Sequence, residues 1–261
     1  MAQVIPFAEV PRTPPPEPGA FVETETARDI LRSLELALAT AGATMIAGRP
    51  GVGKTSALDR FHADRRGEVL RITATAGMAS PWWMATELLK GWGVDPRRDG
   101  GGLETAFAQL ARYVPANGYR MILVDEAQYL DQRSRRADQG AGFEWLRGLT
   151  EKAGIALALA GDLALSGGIE RFPQLRSRMV RPVVIDRVTP RDVAGVAASY
   201  GVTGPIEMKA LMAVARKAGA LRNVGNVLKL ASIFAGRASI GGEHIAAAIL
   251  DLKLAPRGSQ A

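Results

Sequence analysis

The 261-residue chain contains no cysteine, which excludes both disulfides and thiolate metal sites. Histidine is nearly absent. The two present, His62 and His244, fall in separate helical stretches, so no zinc site is expected. Long apolar runs are missing as well: the most apolar stretch, Ile155 to Ala160, is far too short to cross a bilayer. The opening residues Met1-Ala2-Gln3-Val4-Ile5-Pro6 lack the basic and apolar regions of a signal peptide. A cytoplasmic location with no membrane partner is the expectation. Acidic residues number 26 against 33 Lys and Arg, a balance of +7 that permits an acidic partner such as DNA. No internal repeat is visible.

What the chain does have is a hydrophobic content of 47% with 23% charged residues, enough for a real core. Gly48-Arg49-Pro50-Gly51-Val52-Gly53-Lys54-Thr55 fits G-x-x-x-x-G-K-[ST], the phosphate-binding P-loop. The apolar run Ala43 to Ala47 before it reads as a buried strand, and Ser56 to Phe61 after it as a helix. That context turns the pattern into a site. The glycines let backbone N–H groups point at an anionic phosphate chain, at the positive end of the helix. Gly48, Pro50, Gly51, Val52, Gly53, Lys54, Thr55 and Ser56 are thus the expected nucleotide contacts. Lys54 reaches the β- and γ-phosphates, and the Thr55 hydroxyl ligates Mg²⁺.

Residues 1–20 carry six prolines and read as an extended arm. Order is expected from Phe21, with a helix over Thr26–Leu38. Strands follow at Ala43–Ala47, Glu68–Thr73, Arg120–Val124, Ile155–Ala160 and Met179–Ile185, separated by helical stretches. Apolar strands alternating with helices indicate a five-stranded parallel sheet covered on both faces. After Asp186 the strands stop. Thr189-Pro190-Arg191-Asp192 is a helix start, and helices near 190–200, 205–218, 222–236 and 242–253 form a small all-helical domain. The expected division is an arm (1–20), an α/β core (21–187), a helical lid (188–254) and a tail (255–261).

Met121-Ile122-Leu123-Val124-Asp125-Glu126 matches the Walker B pattern. A carboxylate at the end of a buried strand, Asp125, can hold Mg²⁺. Its neighbour Glu126 can act as general base on a water attacking the γ-phosphate, so ATP hydrolysis is expected as well as binding. The order of P-loop, Asp-Glu strand, polar strand end, Arg-x-Arg and helical lid resembles the AAA+ ATPases over roughly residues 21–253. The resemblance implies a sensor 1 residue at the end of the fourth strand, where Asp162 stands in place of the usual Asn, Thr or Ser. It implies an arginine finger in Gln174-Leu175-Arg176-Ser177-Arg178, with Arg178 favoured over Arg176. A finger acts on a neighbour's nucleotide, so a ring or helical filament of identical subunits follows. Gly219-Ala220-Leu221-Arg222-Asn223 resembles the sensor 2 motif, with Arg222 on the γ-phosphate.

Asp125-Glu126-Ala127-Gln128, Phe21-Val22-Glu23-Thr24 and the compact lid look like the Mu B type of transposon target-selection ATPases. That resemblance implies ATP-dependent polymerisation on double-stranded DNA and recruitment of a DDE transposase. Mu B itself has an added N-terminal helical DNA-binding domain, where this chain offers the Pro-rich arm. DNA contact is then expected from the core, at Lys90, Arg97, Arg98 and Thr105 and at a second basic patch of Arg133, Arg135 and Arg136. Such residues bind phosphates without reading sequence. Trp82 and Trp83 are assigned to packing. A helicase loader or replication initiator of the same superfamily, and an ATP switch acting on another protein, are the competing readings.

Overall fold

The computed structural model describes residues 21–77, 80–95, 101–131 and 140–255. The Pro-rich arm, Arg97, Arg98, Arg133, Arg135, Arg136 and the tail from residue 256 lie outside the described residues.

Five strands form one parallel sheet: β1 (Ala43–Gly48), β2 (Val69–Thr73), β3 (Met121–Asp125), β4 (Ala156–Gly161) and β5 (Val183–Ile185), in the order β2-β3-β4-β1-β5. The three central strands are buried along their whole length. Their side chains alternate between two cores, as the two-residue period of a strand dictates. Ile122, Val124, Leu157 and Leu159 face one; Met121, Leu123, Ala156 and Ala158 face the other. The first core packs against α3 (Pro81–Lys90), α4 (Leu103–Ala116), α5 (Ala141–Ala153), α6 (Ala164–Ile169) and α7 (Pro173–Ser177). Trp82 and Trp83 are half-buried against it, in keeping with a packing role. The second core packs against α1 (Glu25–Thr40) and α2 (Lys54–Asp64). No helix among the described residues is long and apolar enough to cross a membrane.

The fifth strand is shorter than its apolar pattern suggests. Only Val183–Ile185 pair with β1, and Met179 makes a single bridge to Ala43. Pro182 has no N–H to give the ladder, which opens there. The carbonyl of Arg181 accepts instead from the hydroxyls of Ser33 (2.6 Å) and Thr44 (3.0 Å), two fully buried polar side chains.

Beyond residue 188 the described chain is helical: α8 (Pro190–Ala198), α9 (Pro205–Ala215), α10 (Ala220–Ala235) and α11 (Gly242–Asp251) close around a third core. Thr189 caps α8 in a reciprocal box with Asp192. The Asp192 carboxylate also reaches the start of α1, accepting from the Thr26 N–H (2.8 Å) and hydroxyl (2.7 Å). One buried carboxylate thereby serves two helix N-termini and pins the helical bundle to the α/β layer.

Candidate nucleotide-binding site

The P-loop leaves the centre of the sheet at Gly48 and re-enters regular structure at α2. Gly51 and Gly53 have φ of 81° and 99°, a left-handed conformation that only glycine adopts cheaply. At Gly51 space is also decisive: a Cβ there would lie 2.0 Å from the carbonyl oxygen of Gly219, on the far side of the cleft. The backbone N–H of Arg222 donates to the Gly51 carbonyl at 3.1 Å. The P-loop and the start of α10 therefore touch main chain to main chain.

Lys54 Nζ donates to the carbonyls of Gly48 (2.5 Å) and Arg49 (3.1 Å). Burial pulls its pKa below the ordinary 10.5; Glu126, Asp125 and Asp162 oppose that shift, and Arg222 adds to it. Three acidic groups and a second cation are thus gathered around one ammonium.

All of them but Asp125 border a cleft of about 750 Å³. Pro50, Gly51, Gly53, Lys54, Thr55 and Ser56 of the P-loop line it, together with Glu126, Asp162 and Arg222. Gly48, Val52 and Asp125 do not line it. Asp125 is almost fully buried at the end of β3, where its carboxylate accepts from Arg71 (3.0 Å) and from the N–H of Glu126 (2.9 Å). Arg71 also pairs with Asp59 on α2. Glu126 sits in the left-handed region at φ 55° and accepts from the Gln128 amide at 2.6 Å. The Asp162 carboxylate accepts from the N–H of Ala164 at 2.9 Å, the geometry of a turn-forming Asp.

The two candidate fingers diverge. Arg178, the favoured one, turns into its own subunit: it is 28% exposed and lies 3.8 Å from Glu151. It shares a recess with Arg147, Thr150 and Leu157. Arg176 is 57% exposed and pairs with Glu170. Lys90 ends α3 and Thr105 lies in the first turn of α4; both are exposed and neither lines the cleft.

Sequence reasoning assigned no role to several residues that the fold brings here. Phe21, Val22, Val196 and Leu221 add apolar side chains to its lining, suited to a flat base. They come from three separated segments, and the only trace was the Phe21-Val22-Glu23-Thr24 resemblance. Arg71 reaches Asp125 with no short motif of its own; Gln128 stood in the Asp125-Glu126-Ala127-Gln128 resemblance without a role, and the fold sets it on Glu126.

A parallel sheet with this strand order, a P-loop after β1, an Asp-Glu pair closing β3 and a helical bundle over the cleft defines an AAA+ ATPase. The AAA domain family matches residues 37–166, and the family described as Mu B transposition protein, C terminal, matches residues 177–252. The chain is 32% identical over 228 residues to the ATP-dependent target DNA activator B of Escherichia phage Mu, covering 84% of this chain and 69% of that protein. It is 30% identical over 216 residues to the Mu-like prophage FluMu DNA transposition protein B of Haemophilus influenzae, covering 79% and 70%. The chain belongs to the Mu B transposition protein family. Among solved structures it resembles the ORC2 protein of Aeropyrum pernix, with TM-score 0.60, 18% identity and coverage of 86% of this chain and 66% of that one. CDC6P of Pyrobaculum aerophilum gives TM-score 0.60 and 14% identity, covering 93% and 69%. At such identities the likeness is one of fold alone.

Proposed function

We propose that this protein is an ATP-hydrolysing, DNA-binding ATPase. It assembles on double-stranded DNA without strong sequence preference and delivers that DNA as target to a DDE transposase. The observation that carries the reading is the convergence of Lys54, Glu126, Asp162 and Arg222 on one cleft, in a chain of the Mu B family. The work is done in the cytoplasm, beside the DNA.

In this reading the adenine lies against Phe21, Val22, Val196 and Leu221, and the phosphates run over the P-loop toward Glu126. The N–H groups of the loop and Lys54 Nζ hold the β- and γ-phosphates. Glu126 takes a proton from water as its oxygen attacks the γ-phosphorus in line, releasing ADP and phosphate. Arg222, tied to the P-loop by its own backbone, carries the γ-phosphate's state to the helical bundle. The hard oxygen donors of Thr55 and Asp125 suit Mg²⁺, and each Asp125 oxygen keeps a lone pair beyond its partners Arg71 and Glu126. Held by Thr55 and Asp125, the ion would neutralise charge on the phosphate oxygens. Arg176, the more exposed of the pair, is the better finger for a neighbouring subunit.

Lys90 and Thr105, with the arginines outside the described residues, supply phosphate contacts for DNA. The likeness to the ORC2 and CDC6P structures concerns the fold alone and favours no competing role. The test is the ATPase rate and negative-stain morphology, with and without mixed-sequence duplex DNA. Stimulated hydrolysis and nucleotide-dependent filaments are expected. Particles and rates indifferent to DNA would refute target delivery and leave an ATP switch acting on another protein.

A further inference from the structure

Glu126 is followed by a single 3-10 turn, Ala127–Asp131, which brings Gln128 back over the strand ends. The carboxamide of Gln128 is used at both ends. Its Nε2 donates to Glu126 Oε2 at 2.6 Å, and its Oε1 accepts from the backbone N–H of Asp162 at 3.1 Å. Only this orientation of the amide satisfies both partners, because the reverse would set oxygen against oxygen and N–H against N–H. The Asp162 side chain, meanwhile, is turned to the N–H of Ala164. What the end of β4 offers Glu126 is therefore its main chain, delivered through Gln128. Space for the bridge comes from Gly161, where a Cβ would sit 2.4 Å from Gln128 Oε1.

We infer that Gln128 is the positioning residue of Glu126: its carboxamide ties the carboxylate to the end of β4 and fixes where that carboxylate meets water. The inference rests on Glu126 being the base. A carboxylate on a three-bond side chain in a wide cleft has several rotamers, and one hydrogen bond to a rigid strand end selects among them. Gln128 does not line the cleft, and its carboxamide bonds go to Glu126 and Asp162, so its loss falls on turnover and not on binding.

The test compares Gln128→Ala, Gln128→Glu, Gly161→Ala and the double variant Gly161→Ala/Gln128→Ala with the parent and with Glu126→Gln. Gln128→Glu keeps the shape and the acceptor for Asp162 but removes the donor to Glu126, so it reports even if the alanine variant folds poorly. Turnover and KM are read from steady-state ATPase assays, and affinity from a fluorescent ATP analogue. Each single change at Gln128 is expected to lower kcat by about 10- to 100-fold, the scale for a displaced catalytic group. Nucleotide affinity stays within about threefold of the parent, since the interaction acts only on turnover. Gly161→Ala pushes the carboxamide aside and reproduces the loss, but adds nothing to Gln128→Ala. Parental kcat in both Gln128 variants, or a multiplicative loss in the double variant, would overturn the inference. If Glu126→Gln hydrolyses ATP at the parental rate, the base assignment fails instead. If it is inactive while the Gln128 variants are not, only the positioning role falls.

Discussion

Replacing Asp192 by alanine should loosen the helical bundle from the α/β layer, at a cost that the hydrogen bonds around it set. The carboxylate is fully buried and accepts from the N–H groups of Thr26 and Thr189, each at 2.8 Å. It also accepts from their hydroxyls, at 2.7 and 3.0 Å. The hydroxyls can turn to other acceptors; Thr189 already lies 3.1 Å from Glu25. The two N–H groups cannot, and each buried donor left unpaired costs about 1–3 kcal/mol. A total of about 4 kcal/mol follows, which for a chain of this size lowers Tm by about 8–16 °C. The sign with pH is also determined. Burial pushes the Asp192 pKa up, and the hydrogen bonds from Thr26 and Thr189 more than offset it, leaving the carboxyl below the ordinary 3.8. A depressed folded-state value means the stabilisation is complete at neutral pH. It is lost only as pH falls below about 3.8 and through the folded value. Melting curves by circular dichroism at pH 7 and pH 5 should therefore show the same gap between parent and Asp192→Ala, narrowing only in stronger acid. A variant melting within about 3 °C of the parent at pH 7 would refute the reasoning. So would a gap that closes between pH 7 and pH 5.

Further outcomes follow from the site. Arg176→Ala should abolish ATPase activity of the assembled protein while leaving nucleotide affinity unchanged, measured by turnover and fluorescent-analogue binding; a parental rate would remove it as the finger. Arg178→Ala should instead lower Tm, because its side chain is mostly buried, lines a recess with Arg147, Thr150 and Leu157, and lies 3.8 Å from Glu151. Lys90→Ala should weaken DNA binding equally across sequences and reduce the log–log salt slope by about one, read from fluorescence anisotropy at several salt concentrations.

Much of this was readable before any coordinates, and the reasons are local ones. Central strands such as Met121 to Val124 are buried on both faces, so they appear as unbroken apolar runs. Thr189-Pro190 and Asp192 announced the start of α8 because a helix cap is chemistry within four residues. The P-loop and Asp125-Glu126 are likewise short segments whose spacing alone carries the geometry. Legibility failed where the outcome depended on distant partners. Val180 and Arg181 look like strand residues, yet Pro182 opens the ladder beside them and side chains of α1 and β1 complete it. Arg176 and Arg178 are equivalent in pattern; only Glu151 and the recess behind β1 tell them apart. The apolar lining of the cleft draws on residues 21, 22, 196 and 221, a set that no periodicity joins.

The meeting of Gly51 with Gly219 and Arg222 has a consequence for how the molecule can vary. Both surfaces at that point are peptide groups, so no side chain stands between the Gly51 carbonyl and the N–H of Arg222. Substitution can abolish such a junction, but it cannot make it slightly stronger or weaker. Any change in how tightly the helical bundle follows the nucleotide must therefore be introduced elsewhere: at its far anchor on α1, or along the apolar wall between the two.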